Sequence, residues 1–97
     1  MKNDKKTLMF SVTRKTLEGI KKLYEEGGLD RYDKKVSKIY KTLTCLAMEL
    51  NADNVDKKYV NKQLIVLKHT DVSEHPYIEH GIESLINIYN NIEEEGL

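Results

Sequence analysis

Leu8-Met9-Phe10-Ser11-Val12-Thr13 is the stretch whose reading decides the fold of this chain. Its alternation predicts a short β-strand, with Leu8, Phe10 and Val12 on one face and Met9, Ser11 and Thr13 on the other. Thr13 then stands where a helix N-cap belongs, its hydroxyl accepting from an otherwise unpaired backbone N–H. Leu17, Ile20, Leu23 and Tyr24 follow at helical spacing. Gly27-Gly28 supplies the left-handed conformation that ends such a helix.

Beyond the glycines, a second helix is expected from near Asp30, a good N-cap residue, to about Leu50. Its apolar stripe consists of Val36, Ile39, Tyr40, Leu43, Leu46, Ala47 and Leu50. Asn51-Ala52-Asp53-Asn54 is the strongest internal punctuation. Residues 55–69 are ambiguous. Val55, Tyr59, Val60, Leu64 and Leu67 fit a helix, the reading preferred here, while Leu64-Ile65-Val66-Leu67 alone fits a buried strand. After a turn at Thr70-Asp71-Val72-Ser73, Pro76 suits the first turn of a last helix. In it Ile78, Ile82, Leu85, Tyr89 and Ile92 repeat at heptad spacing. Glu93-Glu94-Glu95 forms an acidic tail. The expected fold class is mainly α: a short N-terminal strand followed by three to four helices.

The 97 residues carry a formal net charge of zero, which hides a division. Twelve of the sixteen Lys/Arg but only six of the sixteen Asp/Glu precede Thr42, leaving +6 over residues 1–41 and −6 over residues 42–97. Such asymmetry points to an acidic or nucleic-acid partner on one side. Lys34, Lys38 and Lys41 line one face of the second helix. Arg14 and Lys15 follow the strand, and Lys5 and Lys6 precede it. Two units are expected: residues 1–50 as a binding unit, and 51–97 as an acidic helical extension for oligomerisation or a protein partner.

A strand, a helix, a glycine break and a second helix, in that order, resemble the ribbon-helix-helix DNA-binding family of the Arc and MetJ type over residues 5–50. The resemblance rests on Phe10 through Gly28, with Val36-Ser37-Lys38-Ile39-Tyr40 continuing in the second helix. It implies a homodimer whose paired strands form a ribbon in the major groove of double-stranded DNA. Leu8, Phe10 and Val12 would join the dimer core. Met9, Ser11 and Thr13 would face the bases. Lys5, Lys6, Arg14, Lys15, Lys34, Lys38 and Lys41 would face phosphates, and the first turn of the second helix would offer backbone N–H groups to another. The sequence departs from the family pattern at Met9, where a polar or basic reader is usual, and at Asp30 and Asp33 beside the phosphate site. The implied function is that of a transcriptional repressor, or of a plasmid or phage accessory factor in a bacterium.

The six-residue alternation also fits an irregular lead-in to a helix capped at Ser11 or Thr13, in which case the chain is a four-helix bundle. That alternative suits a non-enzymatic protein-binding module, such as a bacteriocin-immunity-like protein, a phage inhibitor or an antitoxin. A ribbon-helix-helix protein must dimerise, whereas such a bundle need not.

Chemistry is sparse elsewhere. Cys45 is the single cysteine, which excludes an intrachain disulfide and suits a cytoplasmic setting; it is expected as a small core residue. His69, His75 and His80 cluster with Glu74 and Glu79, but His75 and His80 are spaced to diverge around a helix, so no metal site is assigned. No cofactor loop and no catalytic carboxylate pair is present, so an enzyme is not expected. The polar N-terminus carries no secretory signal pattern, and no apolar run is long enough to span a membrane.

Overall fold

The stretch from Leu8 to Thr13 is helical. A computed structural model describes residues 4–30 and 32–91, and among these it contains four helices and no sheet: α1 (Lys5–Glu25), α2 (Lys34–Leu50), α3 (Lys57–Lys68) and α4 (Pro76–Asn90). The expected strand lies in the second turn of α1 and beyond, so the ribbon-helix-helix fold is corrected to a four-helix bundle. With the strand goes the reason for an obligate dimer, since no unpaired strand awaits a partner.

Two features carry the helix through this region. Asp4 caps it, accepting from the Thr7 backbone N–H at 2.7 Å, so the helix starts well before Thr13. The residues that face the core are Met9, Thr13, Thr16 and Ile20, spaced 4-3-4; that is the stripe of an amphipathic helix. Two of the four are threonines. Each satisfies its hydroxyl on the preceding turn, Thr13 on the Met9 carbonyl at 2.7 Å and Thr16 on that of Val12 at 2.8 Å. Buried without those bonds, each hydroxyl would cost about 1–3 kcal/mol.

The end of α1 falls at the glycines. Gly27 has φ of +77°, Gly28 N–H donates to the Leu23 carbonyl at 2.7 Å, and Gly27 N–H to that of Tyr24 at 3.2 Å. This is the Schellman pairing that closes orphan carbonyls. The cap of α2 is Asp33, which accepts from Lys35 and Val36 N–H, and not Asp30 as expected. Asp30 instead shapes the loop by accepting from Tyr32 N–H at 2.9 Å. The ambiguous third segment is helical, capped by Asp56. Pro76 opens α4, where its missing N–H is harmless. Ile92, the acidic run Glu93 to Glu95 and residues 1–3 of the basic arm lie outside the described residues.

Each helix packs on the one before it, and α4 returns to α1, so the four form a ring around one core. The pairing of α1 with α4 is antiparallel: Gly19 meets Tyr77, Thr16 meets Gly81, and Lys5 meets Tyr89. The core draws Met9 and Ile20 from α1, Val36, Ile39, Leu43, Leu46 and Leu50 from α2, Val60, Leu64 and Leu67 from α3, and Ile78, Ile82 and Leu85 from α4. Helices from both of the expected units, 1–50 and 51–97, contribute to this core. Each fully buried side chain of this size contributes about 1.5–3 kcal/mol from the area removed from water.

Candidate functional site

With the helix in place, the expected base-reading residues separate. Met9 and Thr13 are fully buried, whereas Ser11 is exposed. The two expected faces have thus partly exchanged roles, since Phe10 and Val12 only border the core. No base-facing row survives.

The seven expected phosphate-facing residues are also divided. Lys6 donates to the Ala52 carbonyl at 2.8 Å, just past the C-terminus of α2, where a cation complements the helix dipole. Lys5 lies over the Tyr89 ring, 5.9 Å from its centre. Arg14 pairs with Glu18 at 3.4 Å and sits 5.9 Å from the Phe10 ring centre. Further along α1, Lys22 and Glu26 approach to 4.0 Å. Two of the cations of α1, Arg14 and Lys22, are thus paired with carboxylates one turn further on.

Lys34, Lys38 and Lys41 differ, because among the described residues no acidic side chain pairs with them. With Ser37 and the exposed Tyr32 they line a depression of about 350 Å³ on the outer face of α2. Lys15 lies elsewhere, on α1 beside α4, where its own carbonyl accepts from the Tyr77 hydroxyl at 2.8 Å. The lysines of α2 are therefore gathered around one depression, while Arg14 and Lys15 border another on α1 with Ser11.

A second feature was not expected from the sequence. Of the four helix pairings in the ring, α3 with α4 is the least extensive. Two adjoining depressions run along that seam, of about 360 and 130 Å³, and both include Lys68 and Ile86. The larger has Leu67, Val72 and Ile82 on its floor. The smaller is bordered by Leu64, Ile65 and Tyr89. Ile65 is 48% exposed, and Ile86 and Tyr89 are only partly covered. Asp71, Glu79 and Glu83 stand around the larger depression, with Lys68 the one cation among its lining residues.

Asp71 is held in its charged form. Its carboxylate accepts from the Ser73 backbone N–H at 3.0 Å and from the Ser73 hydroxyl at 2.8 Å. These bonds, with the Lys35 charge adding to them, lower its pKa from the ordinary value of 3.8.

Cys45 is exposed, not a core residue as its neighbours in sequence suggested. Its thiol lies beside the Tyr59 phenol, whose pKa is raised first by their hydrogen bond and then by burial. Among the described residues no three His, Cys, Asp or Glu side chains are grouped to hold a metal ion. No described helix is long and apolar enough to cross a membrane. No protein-family model, curated protein or solved structure matches the chain.

Proposed function

We propose that the protein is a non-enzymatic binding module, a four-helix bundle that acts by docking onto a partner protein. One observation carries this reading: closing the ring leaves an apolar seam between α3 and α4 that the described residues do not fill. Clefts between bundle helices are common binding surfaces, and incompletely covered Ile and Tyr side chains are the material of interface centres. Immunity-like proteins, phage inhibitors and antitoxins are functions that a bundle of this size accommodates, an analogy from size and class alone. Duplex DNA fits less well. Its major-groove element is gone, and the remaining lysines supply only phosphate contacts, which carry no sequence information.

The test places a photoreactive residue at Ile65, in the seam, and another at Met48, exposed on α2. Each variant is irradiated in cells of the organism that encodes the protein. One protein adduct from position 65 and none from position 48, re-formed from the two purified proteins, supports the reading. No adduct at position 65, together with low-salt duplex binding that weakens in Lys38→Ala, overturns it in favour of nucleic acid.

A further inference from the structure

We infer that the seam between α3 and α4 receives the apolar face of a basic amphipathic helix; this rests on the protein-binding reading and names the chemistry of the occupant.

The shape of the seam argues for a helix. It runs along α4 from Glu79 to Asn90, about 16 Å at 1.5 Å per residue. A groove of this length between two helices accommodates about three turns of a third, with apolar anchors at i, i+3 or i+4, and i+7. Its floor changes along its length in a way that suits such anchors. Val72 and Ile82 lie at one end, Ile86 in the middle, and Ile65 with Tyr89 at the other.

The charge of the rim argues for a basic one. Three carboxylates, Asp71, Glu79 and Glu83, line the larger depression with one lysine, Lys68, while Lys5 lies over Tyr89 at the other end, so the acidic rim is confined to the Asp71–Glu83 end of the groove. Lys35 approaches Asp71 from α2 and moderates that end of the groove. Glu79 and Glu83 are four residues apart on one helix, so they repel each other unless a cation lies near. Among the described residues, no hydrogen bond or ion pair engages either carboxylate. A Lys or Arg on the flank of an apolar helical face would relieve that repulsion, and a carboxylate there would worsen it. Charge complementarity of this kind sets orientation and excludes wrong partners.

The probes are three labelled synthetic peptides of about four turns. The first carries leucines along one helical face and lysines elsewhere. The second has the same leucines with glutamates, and the third keeps the lysines but replaces leucine by serine. Fluorescence anisotropy with the full chain at physiological salt should show the Leu/Lys peptide binding at least about tenfold more tightly than either of the others. Ile65→Ser, at a half-exposed position that leaves the core intact, should weaken it several-fold. The Glu79→Lys, Glu83→Lys double variant should reverse the preference towards the Leu/Glu peptide. Glu79→Gln with Glu83→Gln, a milder change, should abolish the preference without reversing it.

Equal binding of the Leu/Lys and Leu/Glu peptides overturns the inference, as does equal binding of the Ser/Lys peptide or indifference to Ile65→Ser. Self-association of the chain through the seam, seen by light scattering and removed by Ile65→Ser, overturns it in favour of a second copy. If the peptides fail while the position 65 adduct persists, the occupant's chemistry is wrong and the binding-module reading stands. If the adduct is also absent and duplex DNA binds in a way that weakens in Lys38→Ala, both fall.

Discussion

Tyr77 donates its hydroxyl to the main-chain carbonyl of Lys15 at 2.8 Å, tying α4 to α1 across 62 residues of sequence. The bond forms because Gly19, one turn beyond Lys15, has no side chain: a Cβ there would meet the Tyr77 ring. One turn further along α4, Gly81 admits Thr16 in the same way. The two glycines set how closely the helices approach, but their surroundings differ. Tyr77 is half exposed and its ring can swing outward. Thr16 is buried, β-branched and bonded to Val12, so it has little freedom to move.

Substitutions at these glycines should therefore diverge. Gly19→Ala gains about 1 kcal/mol of helix propensity and loses a partly exposed hydrogen bond of about 0.5–1.5 kcal/mol, leaving stability nearly unchanged. Gly81→Ala gains the same propensity, but the overpacking costs about 1–3 kcal/mol. Urea denaturation should show Gly81→Ala as clearly the less stable of the two. The reverse order would mean that α1 and α4 do not meet at these residues.

The register of α1 makes a second prediction, at the residues whose alternation suggested a strand. Met9 is fully buried, so Met9→Ala should cost about 2–5 kcal/mol. Ser11 is exposed in mid-helix, so Ser11→Ala should change stability by no more than about 0.5 kcal/mol. Denaturation followed by helical ellipticity measures both. A costly Ser11→Ala alongside a neutral Met9→Ala would place the helix in another register.

The second and fourth helices were legible because their apolar stripes contain Val, Ile and Leu and their ends are punctuated, while the third was only the preferred reading, since Leu64-Ile65-Val66-Leu67 also fits a strand. Five of the seven residues expected to line α2 are buried, with Tyr40 and Ala47 at the margin. The first helix was not, because two of its four core positions are Thr13 and Thr16, whose burial depends on hydroxyl bonds to their own helix. Discounting threonine leaves Leu8, Phe10 and Val12 at a spacing of two, and the helical stripe disappears. Asp4, three residues before Thr7, was the local signal that would have moved the helix start forward. As for the site, the lysine stripe of α2 follows from spacing along one helix and could be seen. The seam between α3 and α4 depends on the separation of two helices, which no local pattern encodes.

Capping makes a third prediction. Asp33 and Asp56 each accept from two backbone N–H groups at the start of a helix. Replacing either by Ala should cost about 1 kcal/mol, within the 0.5–2 kcal/mol range of such changes. Replacement by Asn, which accepts the same bonds, should restore most of it. Asp30, expected as the cap of α2, accepts within the preceding loop from Tyr32 N–H, so Asp30→Ala should cost less than Asp33→Ala. Equal costs would return the start of α2 to Asp30.

Acid should loosen the bundle at two identifiable carboxylates. Hydrogen bonding from Thr7 lowers the pKa of Asp4, and hydrogen bonding from Ser73 lowers that of Asp71, each from an ordinary value of 3.8. For a group whose folded pKa is depressed, the stabilising contribution is complete above the unfolded value and is lost as pH falls through the folded one. Both contributions should therefore be intact at neutral pH and decline only below about pH 4. Carboxyl NMR titration should place both midpoints below 3.8. Asp4→Asn keeps an acceptor at the cap without the ionisable group, so the N-terminal turn of α1 should lose less protection from hydrogen exchange on acidification than in the parent chain. The groove connects the second carboxylate to binding: because its Ser73 hydrogen bonds hold Asp71 in the charged form below its ordinary value of 3.8, a basic peptide in the seam should keep its Asp71 contact as the pH falls to that value. A midpoint for Asp71 at or above 3.8 would contradict the Ser73 hydrogen bonds and remove that contact from the rim.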